Sequence, residues 1–356
     1  MIILGTGIIF SQGMGVEALE RALCSGWVKP SEIDVSRSEG LKRPVYQVDL
    51  DAVPDRTLLK KIRRADKLSK MSVLAAADAI ADCGIADIHR KKVGIILATA
   101  FGAQVTTFEF LDGILDYGDT AVSPTTFSNS VHNAAASYVS SSLNIQGPTL
   151  TITQFRFSFQ SALQLAQTWL AQGRCDYLLV GAVDQYGDVL GYISEQKLDT
   201  AADGRIKPFA FNPTCQVPGE GALFFLLGND STDNAYCKVN AVYTCGDPDG
   251  GKPVDINLID ADGMLPDESA YLESLTPDIH TSAYSPIFGS MMIGGAFNLA
   301  AGALMLKKQT QYAAPVQDNP HGLRLLNETK PAHIGSIRSI GCNCFGESSV
   351  VYLSKL

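Results

Sequence analysis

The sequence predicts an α/β chain built on a parallel sheet, and three observations carry that prediction. "GPTLTIT" alternates Leu150 and Ile152 with threonines, "SALQLAQTWLAQG" spaces Ala162, Leu165, Ala166, Trp169 and Leu170 along one helix face, and "CDYLLVGAVD" is a short apolar strand. Strand, helix and strand in that order form a βαβ unit, whose crossover makes the two strands parallel. "MIILGTGII" and "KVGIILATAFG" read as further buried strands interrupted or ended by glycine. Beyond residue 235 the alternation of strands and helices returns less cleanly.

Taken in order, "GVEALERAL" has helical spacing, and residues 25–57, polar and proline-rich, read as loop. "KKIRRADKLSK" (60–70) is basic and opens a long helix that Gly84 stops. "PTTFSNSVHNAAASYVSSSLNIQG" reads as loop, helix and turn, with His132 on the helix. The polar run "NDSTDNA" (229–235) marks a boundary, giving halves 1–234 and 235–356. In the second half "CKVNAVYTCG" and "DIHTSAYS" read as strands. Residues 246–277 read as loop with one helical patch, "GGAFNLAAGALMLKKQ" as a closely packed helix, and "GSIRSIGCNCFGESSVVYLSKL" as a hairpin around Gly346.

With 46% hydrophobic and 18% charged residues, the chain has the composition of a buried-core globular protein. A net charge of −9 argues against nucleic-acid binding, which favours a basic excess. No apolar run reaches the roughly 18 residues of a membrane span. The N-terminus lacks a basic n-region and reads as a strand rather than a signal peptide. The eight cysteines are scattered, which suits a reducing cytoplasm. Cys342 and Cys344 would share a face if both were in a strand.

The corner "QFRFSF" follows the first strand of the βαβ unit, where open α/β sheets place their ligands. It carries Arg156 among Phe155, Phe157 and Phe159. A cation near a helix N-terminus faces the wrong end of the dipole, and if buried it needs an anion or several acceptors.

Five segments, in order, resemble the β-ketoacyl-acyl-carrier-protein synthases. They are "ILGTGIIFSQGMGVEALERAL", "RADKLSKMSVLAAADAIADCGI", "SPTTFSNSVHNAAASYVSSSLNIQGPTLTI", "KPFAFNPTCQVPGEGALFFLLG" and "CFGE". The resemblance implies a thiolase-like fold of two duplicated βα halves in a five-layer αβαβα sandwich. It also implies a reaction in which a cysteine thiolate holds the acyl chain while two histidines assist malonyl decarboxylation.

Carried over one at a time, those catalytic positions read differently here. Counting from Gly147-Pro148, and back from "GAVD", sets Arg156 at the cysteine position and Phe159 at the following glycine. The first histidine position falls on Asp260, or on Asp262 in the alternative register. The family's lysine position falls on Tyr284, and the second histidine position on Gly289, or on Ser290. Gln154 stands two residues early for the glutamine that some decarboxylating relatives carry. Ser158 is the remaining hydroxyl at the corner, but no base is identifiable beside it and a nucleophile needs one. His89, His132, His280, His321 and His333 read as structural or surface residues.

These readings imply a chain-length-factor-like, non-catalytic subunit. It would pair as a heterodimer with an active ketosynthase and meet an acyl carrier protein, with no cofactor and no metal. Such pairs serve polyketide, polyene or fatty-acid elongation. Phe155, Arg156, Phe157, Phe159 and Phe345 would shape the tunnel and interface. Lys60, Lys61, Arg63 and Arg64 would dock the acidic carrier, unless they are a solvated helix face. Two other readings stand beside it: an enzyme with rearranged chemistry, a decarboxylase or an acyltransferase using Ser158, and a carrier-binding scaffold.

Overall fold

The computed structural model describes residues 1–34, 42–85, 88, 92–250, 252–316 and 318–356. The first half runs β1 (Ile2–Phe10), β2 (Gly13–Met14), α1 (Val16–Ser25), β3 (Ser31–Asp34), β4 (Lys42–Val45), α2 (Arg56–Lys61), α3 (Lys67–Asp82) and β5 (Val93–Thr99). It continues with α4 (Gln104–Tyr117), α5 (Pro124–Asn129), α6 (Ala134–Ser142), β6 (Thr149–Thr153), α7 (Ser158–Ala171), β7 (Tyr177–Asp184), α8 (Asp188–Lys197) and β8 (Gly221–Gly228). The second half runs β9 (Cys237–Tyr243), β10 (Ile256–Ile259), α9 (Ala270–Ser274), β11 (His280–Ser282), α10 (Ser285–Phe288) and α11 (Gly294–Lys308). It ends with β12 (Thr310–Gln311), β13 (Lys330–Pro331), β14 (Ser336–Cys342) and β15 (Ser348–Ser354).

The main sheet has the order β11-β10-β14-β15-β9-β1-β8-β7-β5-β6. Its two halves share one plan. In the first, β6, β5 and β7 are parallel neighbours, and β8 and then β1 follow antiparallel. In the second, β11, β10 and β14 are parallel neighbours, and β15 and then β9 follow antiparallel. The halves join through two residue pairs, Ile2 with Lys238 and Ile3 with Cys237.

Strand alternation assigns the faces. Ile96, Ala98, Val180 and Phe225 of the first half, and Leu258, Ile337, Val351 and Leu353 of the second, share one core with α7 and α11. The opposite face of the first half packs on α3 and α6, and that of the second packs around Tyr271 of α9. Helix, sheet, helix, sheet, helix are the five layers. This mixed α/β architecture around one large sheet agrees with the expected fold class.

The glycines that interrupt β1 have a packing reason. A Cβ on Gly5 would stand 2.2 Å from the Ala79 carbonyl oxygen, and one on Gly7 2.0 Å from that of Ala75. The bare strand therefore lets α3 lie directly on it. Asp82 accepts from Thr6 N at 2.8 Å and Asp78 from Ile8 N at 3.4 Å, satisfying strand donors from the helix.

Several expected elements need correction. Residues 25–57 contain the β3–β4 hairpin and the start of α2. The basic stretch 60–70 is not one helix: α2 stops at Lys61, and Asp66 caps a new helix by accepting from Ser69 N. Residues 246–277 contain β10 as well as α9, and "AYSPIF" turns into α10 after a three-residue strand. His132 lies in the turn between α5 and α6 and is exposed. Cys342 ends β14 and is buried, whereas Cys344 is exposed in the hairpin turn, so the two share no strand face. His89 lies outside the described residues.

Candidate functional site

The shared strand plan brings matching corners of the two halves together. Arg156 follows β6, and residues 283–290 follow β11, the equivalent strand. Asp260 and Asp262 follow β10. Phe157, which precedes α7, adopts a left-handed backbone with φ of 64°. Neither an N-cap side chain nor an acidic residue accompanies that helix start.

Arg156 is buried, and its anion is now identified. Nη2 donates to Asp262 Oδ1 at 3.0 Å, and Nη1 lies 3.9 Å from Asp260 Oδ2. Asp262 is also held by its surroundings: its carboxylate accepts from Met264 N at 3.1 Å and Met291 N at 3.2 Å. Asp260 Oδ1 accepts from Asn298 Nδ2 at 3.3 Å. Glu268, 1% exposed, accepts from Gly263 N at 2.9 Å and Asp262 N at 3.2 Å, pinning the 260–268 loop.

One guanidinium thus faces three buried carboxyl groups. Burial, followed by the Asp262 charge, raises the Asp260 carboxyl well above the usual range. The same two causes push Glu268 up to about 8. Arg156 stays protonated, because the attraction of Asp262 and Asp260 outweighs its loss of hydration.

The other positions set by the resemblance adjoin this cluster. Ser290 Oγ donates to the Asp262 carbonyl and accepts from Val217 N at 3.0 Å. Gly289 has φ of +91°, and a Cβ there would stand 2.8 Å from Gly219 Cα, so the corner admits no side chain without backbone movement. Tyr284 N donates to Asn298 Oδ1 at 3.0 Å, while its hydroxyl donates to the Tyr312 carbonyl at 2.7 Å. Beside Ser290 and Met291 lies a cavity of about 40 Å3, also lined by Phe101, Asp184, Gln216 and Met264. A water needs roughly 10–15 Å3, so this space suits a few waters rather than an acyl chain.

The phenylalanines separate into two pairs. Phe155 is 63% exposed and packs on Phe101 with ring centroids 5.6 Å apart. Phe345 is 84% exposed in a turn that Asn343 ties by accepting from Phe345 N and Glu347 N. Phe157 and Phe159 are buried, and Phe159 packs on Phe225 in the shared core. The left-handed step at Phe157 and the first turn of α7 direct both rings inward, so of the four only Phe155 and Phe345 lie on the surface of the chain.

Ser158 is also buried, and its hydroxyl has no hydrogen-bond partner among the described residues. Gln154 is exposed and accepts from Ser161 Oγ at 3.2 Å, away from the cluster. Among the described residues no hydrogen bond or ion pair joins a histidine to Arg156, Asp260, Asp262 or Glu268. The described residues contain no group of three His, Cys, Asp or Glu side chains placed to hold a metal ion.

Lys60, Lys61, Arg63 and Arg64 are exposed. Arg56, Lys60, Arg63 and Lys70 line a surface cleft of about 470 Å3 with Leu50 and Leu59. Lys67 leaves the basic face by pairing with buried Glu220, and Lys61 donates to the Ser142 carbonyl.

Sequence reasoning placed Asp260 and Asp262 at a lost histidine position without seeing them as the counter-ions of Arg156. The signal was available, because a buried arginine demands an anion. Glu268, within "PDES", gave none.

Residues 1–232 match the family described as "Beta-ketoacyl synthase, N-terminal domain". The chain is 24% identical over 230 residues, 64% of its length, to nodulation protein E of Rhizobium meliloti. It is 26% identical over 269 residues, 68% of its length, to a putative polyketide beta-ketoacyl synthase 1 of Streptomyces cyaneus. It spans 57% and 63% of those two relatives, under two thirds of either. The ishigamide ketosynthase/chain length factor superposes over all of this chain and 98% of its own, with a TM-score of 0.83 and 16% identity. A type II polyketide acyl-carrier protein in complex with its ketosynthase gives a TM-score of 0.80 at 17% identity, covering all of this chain and 99% of that one.

Proposed function

The chain belongs to the β-ketoacyl synthase family, and on that premise we propose that it is a non-catalytic, chain-length-factor-like subunit. It pairs with an active ketosynthase, and the pair elongates acyl or polyketide chains on an acyl carrier protein. Residues 1–234 and 235–356 are the two halves of its duplicated unit, a division that the common strand order supports. A cytoplasmic setting belongs to the same reading; among the described residues no helix is long and apolar enough to cross a membrane.

The observation that carries this reading is the Arg156 corner. A condensing site needs a thiolate there, with donors facing the oxyanion that develops. Here a guanidinium is bound to Asp262 and Asp260, its charge already spent within the protein. The edge of the sheet supports a partner. β6 is terminal in the strand order, and Leu150 within it and Phe155 just after it are exposed.

The test is to purify the chain with a ketosynthase that keeps the cysteine and both histidines, and to measure their association. A 1:1 complex is expected, with acyl-enzyme forming on the partner alone. Intact-mass analysis of the isolated chain after incubation with malonyl- or acyl-loaded carrier separates the alternatives. A covalent adduct, or turnover to decarboxylated product, would replace this reading with that of an enzyme using Ser158 or another group.

A further inference from the structure

A separate cleft opens where the end of β1 and the β1–β2 turn meet residues 49–54. It measures about 480 Å3, and sites for small molecules commonly span roughly 300–1,000 Å3. Its floor is apolar: Ile9 and Phe10 are each 1% exposed and Val53 4%. Met14 and Pro54 extend that surface, and Ser11, Gln12, Arg21 and Asp49 supply the polar groups.

The polar groups leave much of their bonding capacity open. Arg21 and Asp49 both line the cleft, yet no ion pair within 4.0 Å joins them, and Arg21 has no other side-chain partner among the described residues. Asp49 Oδ1 accepts from Asp51 N at 2.8 Å, leaving its second oxygen open. Gln12 Nε2 donates to the Ile287 carbonyl at 3.2 Å, which fixes the amide and leaves its oxygen as an acceptor. The Ser11 hydroxyl oxygen is buried without a partner among the described residues.

A cation and an anion that share a cleft without pairing fit a ligand carrying one charge of each sign. A guanidinium matches a carboxylate through two parallel hydrogen bonds, and a carboxylate matches an ammonium. The apolar floor adds a third requirement. We propose that this cleft binds a free amino acid with an apolar side chain. Its carboxylate meets Arg21, its ammonium meets Asp49, and its side chain lies on Ile9, Phe10 and Val53. Ser11 and Gln12 supply further hydrogen bonds. The proposal is independent of how the Arg156 corner is read.

The experiment titrates the full-length chain with L-leucine and L-phenylalanine by calorimetry, and follows the Gly13 and Met14 backbone amides by NMR. Binding of one amino acid per chain is expected, with shifts at those two amides. Arg21→Ala and Asp49→Asn should each weaken it roughly tenfold or more, the usual consequence of losing a charged hydrogen bond. Both side chains are exposed, so unchanged melting temperatures should show that the variants fold. Leucine amide should fail for want of a carboxylate, and N-acetyl-leucine for want of an ammonium. Absence of both heat and shifts at millimolar amino acid would overturn the proposal. So would N-acetyl-leucine binding as tightly as leucine, because the cleft would then recognise an anion with an apolar tail. Retention of full affinity in both folded variants would equally overturn it.

Discussion

Replacing Arg156 by methionine removes the guanidinium from between Asp260 and Asp262 while keeping most of its apolar stem. At an effective dielectric near 20, the ion contact with Asp262 at 3.0 Å is worth about 5–6 kcal/mol before other costs, and Asp260 at 3.9 Å, whose carboxyl is raised well above the usual range, adds less than a full charge would. The substitution also relieves several kcal/mol of arginine desolvation, and loss of the guanidinium's attraction raises the Asp260 carboxyl further. The net loss expected for breaking such a buried pair is about 3–5 kcal/mol. Urea unfolding at neutral pH, monitored by circular dichroism, measures it. The loss should grow with pH. Without the guanidinium, whose charge holds them down, the Asp260 and Glu268 carboxyls rise further, the folded chain holds protons that the unfolded chain has released, and raising the pH then favours unfolding. A loss below about 1 kcal/mol, or one no larger at pH 8.5 than at pH 5.5, would refute the assignment of Arg156 as the counter-charge of this cluster.

Other outcomes follow from the same geometry. Glu268, pushed up to about 8, keeps a proton in the folded chain between the ordinary carboxylate range and that value, so stability falls as pH rises through the window. One such proton is worth about 1.4 kcal/mol per pH unit, and Glu268→Gln should remove that part of the slope in melts taken from pH 5 to 8.5. Arg156→Cys should yield no acyl-enzyme by intact mass, because Asp260 and Asp262 would raise the new thiol's pKa and suppress its thiolate. Phe155→Ser and Phe345→Ser alter exposed rings and should change stability by about 0.5 kcal/mol or less, while weakening association with a ketosynthase in native mass spectrometry.

The fold was legible because its strongest signals are local. The strand-helix-strand run from 149 to 184 shows its periodicities within one short stretch, and glycines in β1 marked a strand that a helix covers. β10 went unseen because "INLI" is four residues long and buried on both faces, too short to show alternation. The break between α2 and α3 was hidden for a different reason. Its basic residues all favour helix, and the interruption is set by Asp66, which caps the second helix and also accepts from Thr106. The inward turn of Phe157 was equally illegible, because a phenylalanine with positive φ contradicts its own intrinsic preference.

The cluster around Arg156 was half legible for a reason that bears on how such a site can arise. Arg156 lies 106 residues from its nearest anion, and they meet only because the fold brings the corner after β6 in one half-sheet against the loop after β10 in the other. Each side is costly alone. An unpaired guanidinium at that corner would be a buried charge next to a helix N-terminus, and Asp260 with Asp262 would be two like charges forced together. Together they neutralise one another, and burial with the Asp262 charge raises the Asp260 and Glu268 carboxyls, which eases the remaining negative excess. The arginine in one half and the aspartates in the other therefore make sense only as a set. A double-mutant cycle between Arg156→Met and Asp262→Asn should accordingly show a coupling of about 1–3 kcal/mol, with the double variant more stable than the sum of the single losses requires. Additive losses would mean that the two residues are not energetically coupled, and would refute the pairing.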